Sequence, residues 1–124
     1  MKLSLFSIYD GVAESYIPPF TLTNSGMAKR EFIAATNDPN HKFCQHPQDY
    51  TLYELGTFDD QTGLILTHKT QLKLMNGMDA KIYAKQAEEL KAKHLQQTNE
   101  IQAAQQKEAE AFDLETQIDG VEKQ

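Results

Sequence analysis

Residues 79–115 form one uninterrupted run of helix-forming residues, and this run limits how much of the chain can build a folded core. The run reads DAKIYAKQAEELKAKHLQQTNEIQAAQQKEAEAFDLE and contains neither proline nor glycine. Its alanine, glutamine, glutamate and lysine residues are good helix formers. We predict one long helix over about residues 79–116, with a frayed end from Gly120. Only some of its heptad positions are apolar, so it makes a poor coiled coil by itself and should contribute little to a monomer core.

The rest of the chain sets the size of the folded part. We predict a small body of residues 1–78 and an extended helical tail of residues 79–124. A body of this size is only marginally stable. The single cysteine, Cys44, excludes an intramolecular disulfide and fits a reducing compartment. No segment has the ~18 apolar residues of a membrane span and the N-terminus lacks a signal-peptide core, so we expect a soluble intracellular protein.

Turn and cap signals divide the first half of the body. The Asp-Gly pair at residues 10–11 is a turn signal between two candidate strands, residues 3–9 and 13–17. The two prolines at residues 18–19 should end this pairing, because proline has no N–H to donate. A helix over residues 25–36 should follow, since polar N-cap side chains precede apolar residues at near-helical spacing.

A second hairpin is predicted from the run DYTLYELGTFDDQTGLILT. Polar and apolar residues alternate over residues 51–58, as in a half-exposed strand. In the DDQTG turn, Asp59 and Asp60 should hydrogen-bond to the backbone and Gly63 should take a positive φ, while LILT forms the return strand. Gly56 inside the first strand indicates a bulge or the close approach of another backbone. The predicted fold class is α+β: two β-hairpins form a small antiparallel sheet with one packed helix, followed by the long C-terminal helix.

The segment HKFCQHP is predicted to be an irregular loop, and it carries the closest grouping of metal-ligating side chains, His41, Cys44 and His46. This group lacks a clear fourth ligand and matches no standard zinc pattern. Asp59 and Asp60 are adjacent, so strand geometry would point them to opposite faces. The chain has no phosphate-binding glycine loop and no nucleophile elbow. We therefore expect no metal, no cofactor, no catalytic residue and no enzymatic activity.

One charge feature departs from the acidic character of the chain, whose formal net charge is −6. From His68 to Lys85, four lysines stand against a single acid, Asp79. Lysines of this kind can contact nucleic-acid phosphates. Aromatic side chains that can stack on bases are available on the strands, namely Phe6, Tyr9, Tyr16, Tyr50, Tyr53 and Phe58. The alternative is an ordinary solvated face beside a structural aromatic core. The candidate DNA-binding residues are Lys69, Lys73, Lys81, Lys85, Tyr53 and Phe58.

Several segments of the body resemble one viral protein family. They are MKLSLFSIYD at the start, PPF at residues 18–20, AKREF and ATNDP between residues 28 and 39, and HPQDYTLYELGTFDDQTG at residues 46–63. The resemblance is to the small nonstructural protein of gokushoviruses, which are microviruses with circular single-stranded DNA genomes. It covers residues 1–66 and does not extend into the tail.

The resemblance implies a nonstructural phage protein made in the cytoplasm of the infected bacterium. The implied role is to bind single-stranded DNA during genome synthesis or packaging, by analogy with the protein that switches replication in related microviruses. Two functions are open. In the first, the basic segment contacts phosphates, sheet aromatics stack on bases, and the tail helix serves self-association or docking. In the second, the chain is an adaptor without DNA contact, and its tail helix binds a viral or host protein.

Overall fold

The computed structural model describes the backbone of residues 1–122 and the side chains of residues 1–111. Within these residues, one five-stranded antiparallel sheet packs against helices, which confirms the predicted α+β fold. The elements are, in chain order, β1 (Lys2–Asp10), β2 (Ser15–Tyr16), β3 (Phe20–Leu22), α1 (Ser25–Thr36), α2 (Lys42–Gln45), β4 (Tyr50–Asp59), β5 (Ile65–Asn76) and α3 (Gly77–Glu122).

β1 lies at the centre of the sheet. One edge of β1 pairs with β4, which in turn pairs with β5, and the other edge pairs first with β2 and then with β3. The prediction that the prolines at residues 18–19 end the pairing is wrong, because they only interrupt it. After the prolines, Phe20 of β3 pairs directly with Phe6 of β1. The strand resumes because Phe20 and Leu22 pack against the core, and proline removes a donor only at its own position.

Side-chain caps fix the first turn and the start of α1. The Asp10 carboxylate accepts hydrogen bonds from two N–H groups of the turn, at 3.0 and 3.2 Å. The Asn24 side chain accepts from the N–H of Met27 at 2.9 Å and so begins α1. Such an N-cap typically stabilises a helix by about 1 kcal/mol. The helix predicted over residues 25–36 is confirmed.

The segment between α1 and β4 is not the irregular loop that the sequence predicts. α2 is followed by a 3₁₀ turn over Pro47–Asp49. His41 begins α2, because its Nδ1 accepts from the N–H of Phe43 at 3.1 Å. The Phe43 ring is buried against Tyr50, with ring centroids 4.4 Å apart. Tertiary packing therefore holds a helix that is too short to be stable alone.

The second hairpin turns at DDQTG, as predicted. Gly63 adopts a φ of 75°, and its N–H donates to the carbonyl oxygen of Asp59 at 2.8 Å. The Asp59 carboxylate accepts from the N–H of Gln61 at 2.9 Å, and this hydrogen bond lowers the pKa of Asp59 below its ordinary value. The Asp60 carboxylate instead binds the amino group of Met1 at 2.8 Å, and this contact raises the pKa of that amine.

A bulge bends β4 near its centre. Glu54 and Gly56 lie opposite consecutive residues of β1, so Leu55 is the extra residue. A Cβ built on Gly56 would lie 2.0 Å from the carbonyl oxygen of Leu66. The bulge and the close backbone approach predicted for Gly56 are therefore both present.

β5 is longer and less regular than the predicted return strand. It extends to Asn76, and its pairing with β4 breaks between Thr67 and Leu72. Asn76 then begins α3: its side chain accepts from the N–H of Met78 at 2.9 Å, and its own N–H donates to the Asp79 carboxylate at 2.9 Å. This reciprocal arrangement is a capping box.

The core lies between the sheet and the helices. Met1–Gln86 form one compact unit, and the chain from Ala87 belongs to a second. In the second unit, the side chains from Ala87 to Ala111 are almost all exposed. The boundary predicted between residues 78 and 79 stays a prediction. The buried residues of the core are Phe6, Ile8, Ala28, Phe32, Phe43, Tyr50, Leu52 and Ala80.

Deleting residues 96–124 should leave the body folded, because the side chains described in that segment, those of residues 96–111, contribute nothing to the buried core. We expect a loss of less than about 1 kcal/mol, which corresponds to a fall in Tm of less than about 4–8 °C for a domain of this size. The measurement is thermal unfolding followed by circular dichroism, with the full-length chain at the same low micromolar concentration as control. A much larger fall would mean that the tail is part of the folded core.

Candidate nucleic-acid interface

The sheet has one face occupied by core residues and a second face that we call the open face. Because successive side chains of a strand point to opposite faces, and because directly paired residues share a face, the strand register assigns residues to each face. All the open-face residues except the small Ser7 and Gly56 are partly exposed or exposed. They include Leu3, Leu5, Ser7, Tyr9, Tyr16, Tyr53, Phe58 and Lys73.

Three tyrosine rings meet on the open face. The rings of Tyr9 and Tyr16 have centroids 4.9 Å apart and are tilted by 55°. The rings of Tyr16 and Tyr53 have centroids 5.8 Å apart at 68°, an edge-to-face contact. We call Tyr9, Tyr16 and Tyr53 the tyrosine cluster. None of the three belongs to the buried core, and Tyr16 is 45% exposed.

The folding of β1, β2 and β4 explains this cluster. The turn at residues 10–11 brings Tyr16 directly opposite Tyr9. Tyr53 pairs with Ser7, a small residue that leaves room beside it. The Ser7 hydroxyl donates to the carbonyl oxygen of Ile17 at 2.7 Å, which ties the chain after β2 to β1. The sequence analysis names all three tyrosines among the aromatics available for stacking but selects only Tyr53 as a site residue, although the turn signal at residues 10–11 could have paired Tyr9 with Tyr16.

The predicted lysines fall into two groups. Lys73 lies directly opposite Tyr53 in the β4–β5 ladder, so it shares the open face with the tyrosine cluster. Lys69 is exposed in the part of β5 where pairing with β4 breaks. Both lysines belong to β5, which pairs with β4, the strand that carries Tyr53.

The other two lysines, Lys81 and Lys85, lie on α3. Lys81 is half-buried, and its Nζ lies 3.0 Å from the Sγ of Cys44 in α2, on the helical side of the sheet. Lys85 follows one helical turn later and is exposed. The structure therefore brings Lys73 together with Tyr53 but does not bring Lys81 to the same face.

Phe58 is half-buried on the open face, farther along β4. It pairs with Leu3 of β1 and with Ile65 of β5. Ile65 is 53% exposed. Phe58 therefore has an apolar surrounding that differs from the tyrosine cluster, and its role in binding stays a prediction.

A groove on the helical side of the sheet is lined by two cationic side chains, Lys29 and Arg30, which the sequence analysis does not select. It has a volume of about 570 Å³ and is lined by Gly26, Lys29, Arg30, Ile33, Met75 and Tyr83. The first turn of α1 holds no acidic residue, so the positive end of the helix dipole is not offset there. The adjacent Lys-Arg pair in AKREF is the sequence feature that could have indicated this basic groove. Because the groove and the open face lie on opposite sides of the sheet, substitutions in the groove serve as controls for substitutions on the open face.

Three other titratable side chains, His41, Cys44 and Tyr50, make structural contacts. His41 caps α2, and Cys44 contacts Lys81. Burial raises the pKa of the Tyr50 phenol, and the charges of Asp10 and Asp49 raise it further. Among the residues whose side chains are described, no group of three or more His, Cys, Asp or Glu could hold a metal ion.

Comparison with known proteins gives the class of this molecule. Residues 3–80 match a family model described as Phage ORF5 protein, and they include α1, α2 and all of the sheet except Lys2. Because the match covers more than half of the chain, the chain belongs to the Phage ORF5 protein family, a family of bacteriophage proteins. No curated protein and no solved structure matches it. In the described part of the chain, no helix combines the length and the apolar character needed to cross a membrane.

Proposed function

We propose that this protein is a nonstructural phage protein that binds single-stranded DNA on its open face. The observation that carries the proposal is the tyrosine cluster beside Lys73, on a sheet face that core packing does not use. Proteins that bind single strands without sequence preference combine aromatic side chains, on which bases stack, with cations that follow the backbone.

Each part of the open face has a defined task in this proposal. The exposed ring of Tyr16 stacks on a base, and the half-buried rings of Tyr9 and Tyr53 hold it in position. Lys73 contacts a phosphate next to the stacked base, and Lys69 contacts a second phosphate along the strand. Stacking of this kind is worth about 1–3 kcal/mol per base and tolerates every base.

The net charge of −6 makes the electrostatic part of binding weak and local. Each phosphate contact contributes about −0.7 to the slope of log affinity against log salt for single strands. Two contacts, from Lys69 and Lys73, give a slope of about −1.4, and participation of Lys81 and Lys85 as well gives about −2.8. The slope therefore reports how many of the predicted lysines take part.

The proposal is tested by fluorescence-anisotropy titration of a labelled single-stranded oligonucleotide at about 50 and 200 mM salt. Saturable binding that weakens with salt supports it. No binding even at the lower salt concentration rules it out. Double-stranded DNA of the same sequence is the control, and it should bind more weakly because its bases are not free to stack.

Replacing Lys69 and Lys73 with glutamine should flatten the salt slope by about 1.4, since two phosphate contacts are lost. The body should stay folded, because both side chains are exposed. The matched control replaces Lys29 and Arg30 with glutamine, which removes the same charge from the groove on the helical side. If the groove variant loses more affinity than the β5 variant, the DNA does not lie on the open face.

The resemblance to the gokushovirus protein supports the biological setting of this proposal. The proposed setting is the cytoplasm of an infected bacterium, during synthesis or packaging of a single-stranded genome. In this setting the protein acts by binding alone, without a cofactor and without catalysis.

A second candidate function is an adaptor whose tail helix binds a viral or host protein. It is favoured by the large apolar side chains that are exposed on the described part of α3 beyond Ala87, which are Leu90, Leu95 and Ile101. Affinity capture from infected cells separates the two functions, with the chain lacking residues 96–124 as control. A viral or host protein retained by the full-length chain but not by the truncated one, together with no DNA binding, favours the adaptor.

A further inference from the structure

In the second unit, one face of α3 carries two large apolar side chains, and we call this face the stripe. Leu90 and Ile101 are 68% and 57% exposed, and they lie eleven residues apart. Eleven residues make just over three full turns of an α-helix, so positions at this spacing share a face. A smaller, half-buried residue precedes each of them by three positions, Ala87 before Leu90 and Thr98 before Ile101. Neither Leu90 nor Ile101 belongs to the buried core.

The charges of α3 are divided along its length. Residues 80–99 contain four lysines against two glutamates, and residues 100–111 contain three glutamates against one lysine. Two such helices side by side in parallel would place like charges together. In the antiparallel orientation, the basic half of each helix faces the acidic half of the other.

We propose that two copies of this chain pair through α3 in antiparallel orientation, with Leu90 of each copy packed on Ile101 of the other. This register places Lys91 of one copy opposite Glu100 of the other, and the two-fold symmetry repeats the pair. The occupant of the stripe is thus a second copy of the chain, because the charge pattern complements itself. This pairing is independent of DNA binding by the open face.

Disulfide trapping tests the orientation. On a Cys44→Ser background, Leu90→Cys chains are mixed with Ile101→Cys chains that carry a tag of different mass, and the mixture is oxidised. The antiparallel pairing predicts mainly disulfides between the two different chains. Disulfides mainly between identical chains, or no dimeric product, would overturn the proposal.

Charge reversal tests the register by sedimentation velocity from low micromolar to submillimolar concentration. Lys91→Glu alone should weaken the dimer about tenfold, because two attractive pairs become repulsive. Glu100→Lys alone should do the same, and an equimolar mixture of the two variants should recover the original affinity.

Lys93→Glu is the matched control, since Lys93 faces Thr98 in this register, and it should weaken the dimer less. Circular dichroism checks that each variant keeps its helix content. A wild-type chain that stays monomeric over the whole range, or a mixture that does not recover, contradicts the pairing.

Discussion

Gly56→Ala is expected to lower the free energy of unfolding by about 3 kcal/mol or more. A Cβ at this position would lie 2.0 Å from the carbonyl oxygen of Leu66 and 2.7 Å from the Cα of Thr67. Both atoms belong to the backbone of β5, so neither can move without separating β5 from β4. Overpacking in a core typically costs about 1–3 kcal/mol, and the absence of a flexible neighbour puts this substitution at or above the upper end.

Chemical denaturation checks this prediction, with Gly11→Ala as the matched control. The atom that a Cβ on Gly11 would meet first, the carbonyl oxygen of Asp49, is 3.5 Å away, an ordinary van der Waals distance. The control should therefore change stability by no more than about 0.5 kcal/mol. Equal stabilities for the two variants would mean that β4 and β5 do not approach as closely as described.

Tyr16→Leu is expected to weaken single-stranded DNA binding by about 5- to 150-fold, the equivalent of about 1–3 kcal/mol for one stacked base. Leucine keeps an apolar side chain beside Tyr9 and Tyr53 but removes the aromatic face. Because Tyr16 is 45% exposed and lies outside the core, the loss should appear in affinity and not in stability. Tyr53→Leu should also weaken binding, but it lies deeper, and thermal unfolding must be measured with it.

Tyr83→Leu is the control for the tyrosine substitutions. Tyr83 is 57% exposed, yet it lines the groove on the helical side and not the open face. Its replacement should leave DNA affinity unchanged within error. If Tyr83→Leu weakens binding as much as Tyr16→Leu does, stacking is not confined to the tyrosine cluster.

The parts of the fold that sequence predicts well are those set by local interactions. The helix α1 begins at a side-chain cap on Asn24, and the second hairpin turns at Gly63 with its positive φ. Gly56 stands out because a glycine inside a strand is unusual. The signal for each of these features lies in one residue or a few neighbouring ones, so a single sequence contains it.

The parts that sequence misses depend on contacts between distant residues. β3 forms because Phe20 packs against Phe6, with ring centroids 5.9 Å apart. α2 forms because Phe43 fills the space between Phe32 and Tyr50. No local pattern specifies these contacts, and the prolines before β3 favour the end of the pairing and not its continuation.

The candidate site was predicted only in part for a related reason. Tyr53 and Lys73 are separated by twenty residues in the sequence, and their pairing depends on the irregular register of β5. A shift by one residue would move Lys73 to the other face. Lys81 was grouped with Lys73 because they are close in sequence, although the turn into α3 directs Lys81 toward Cys44.

The most direct test of the account is to map the DNA-binding surface by NMR. Aromatic and amide resonances of the labelled full-length protein are followed while a short single-stranded oligonucleotide is added. We predict that the ring resonances of Tyr9, Tyr16 and Tyr53 shift together with the amide of Lys73, while those of the groove around Arg30 stay in place. Ring resonances of the tyrosine cluster that do not move at saturating DNA, or shifts confined to the groove, would contradict the account.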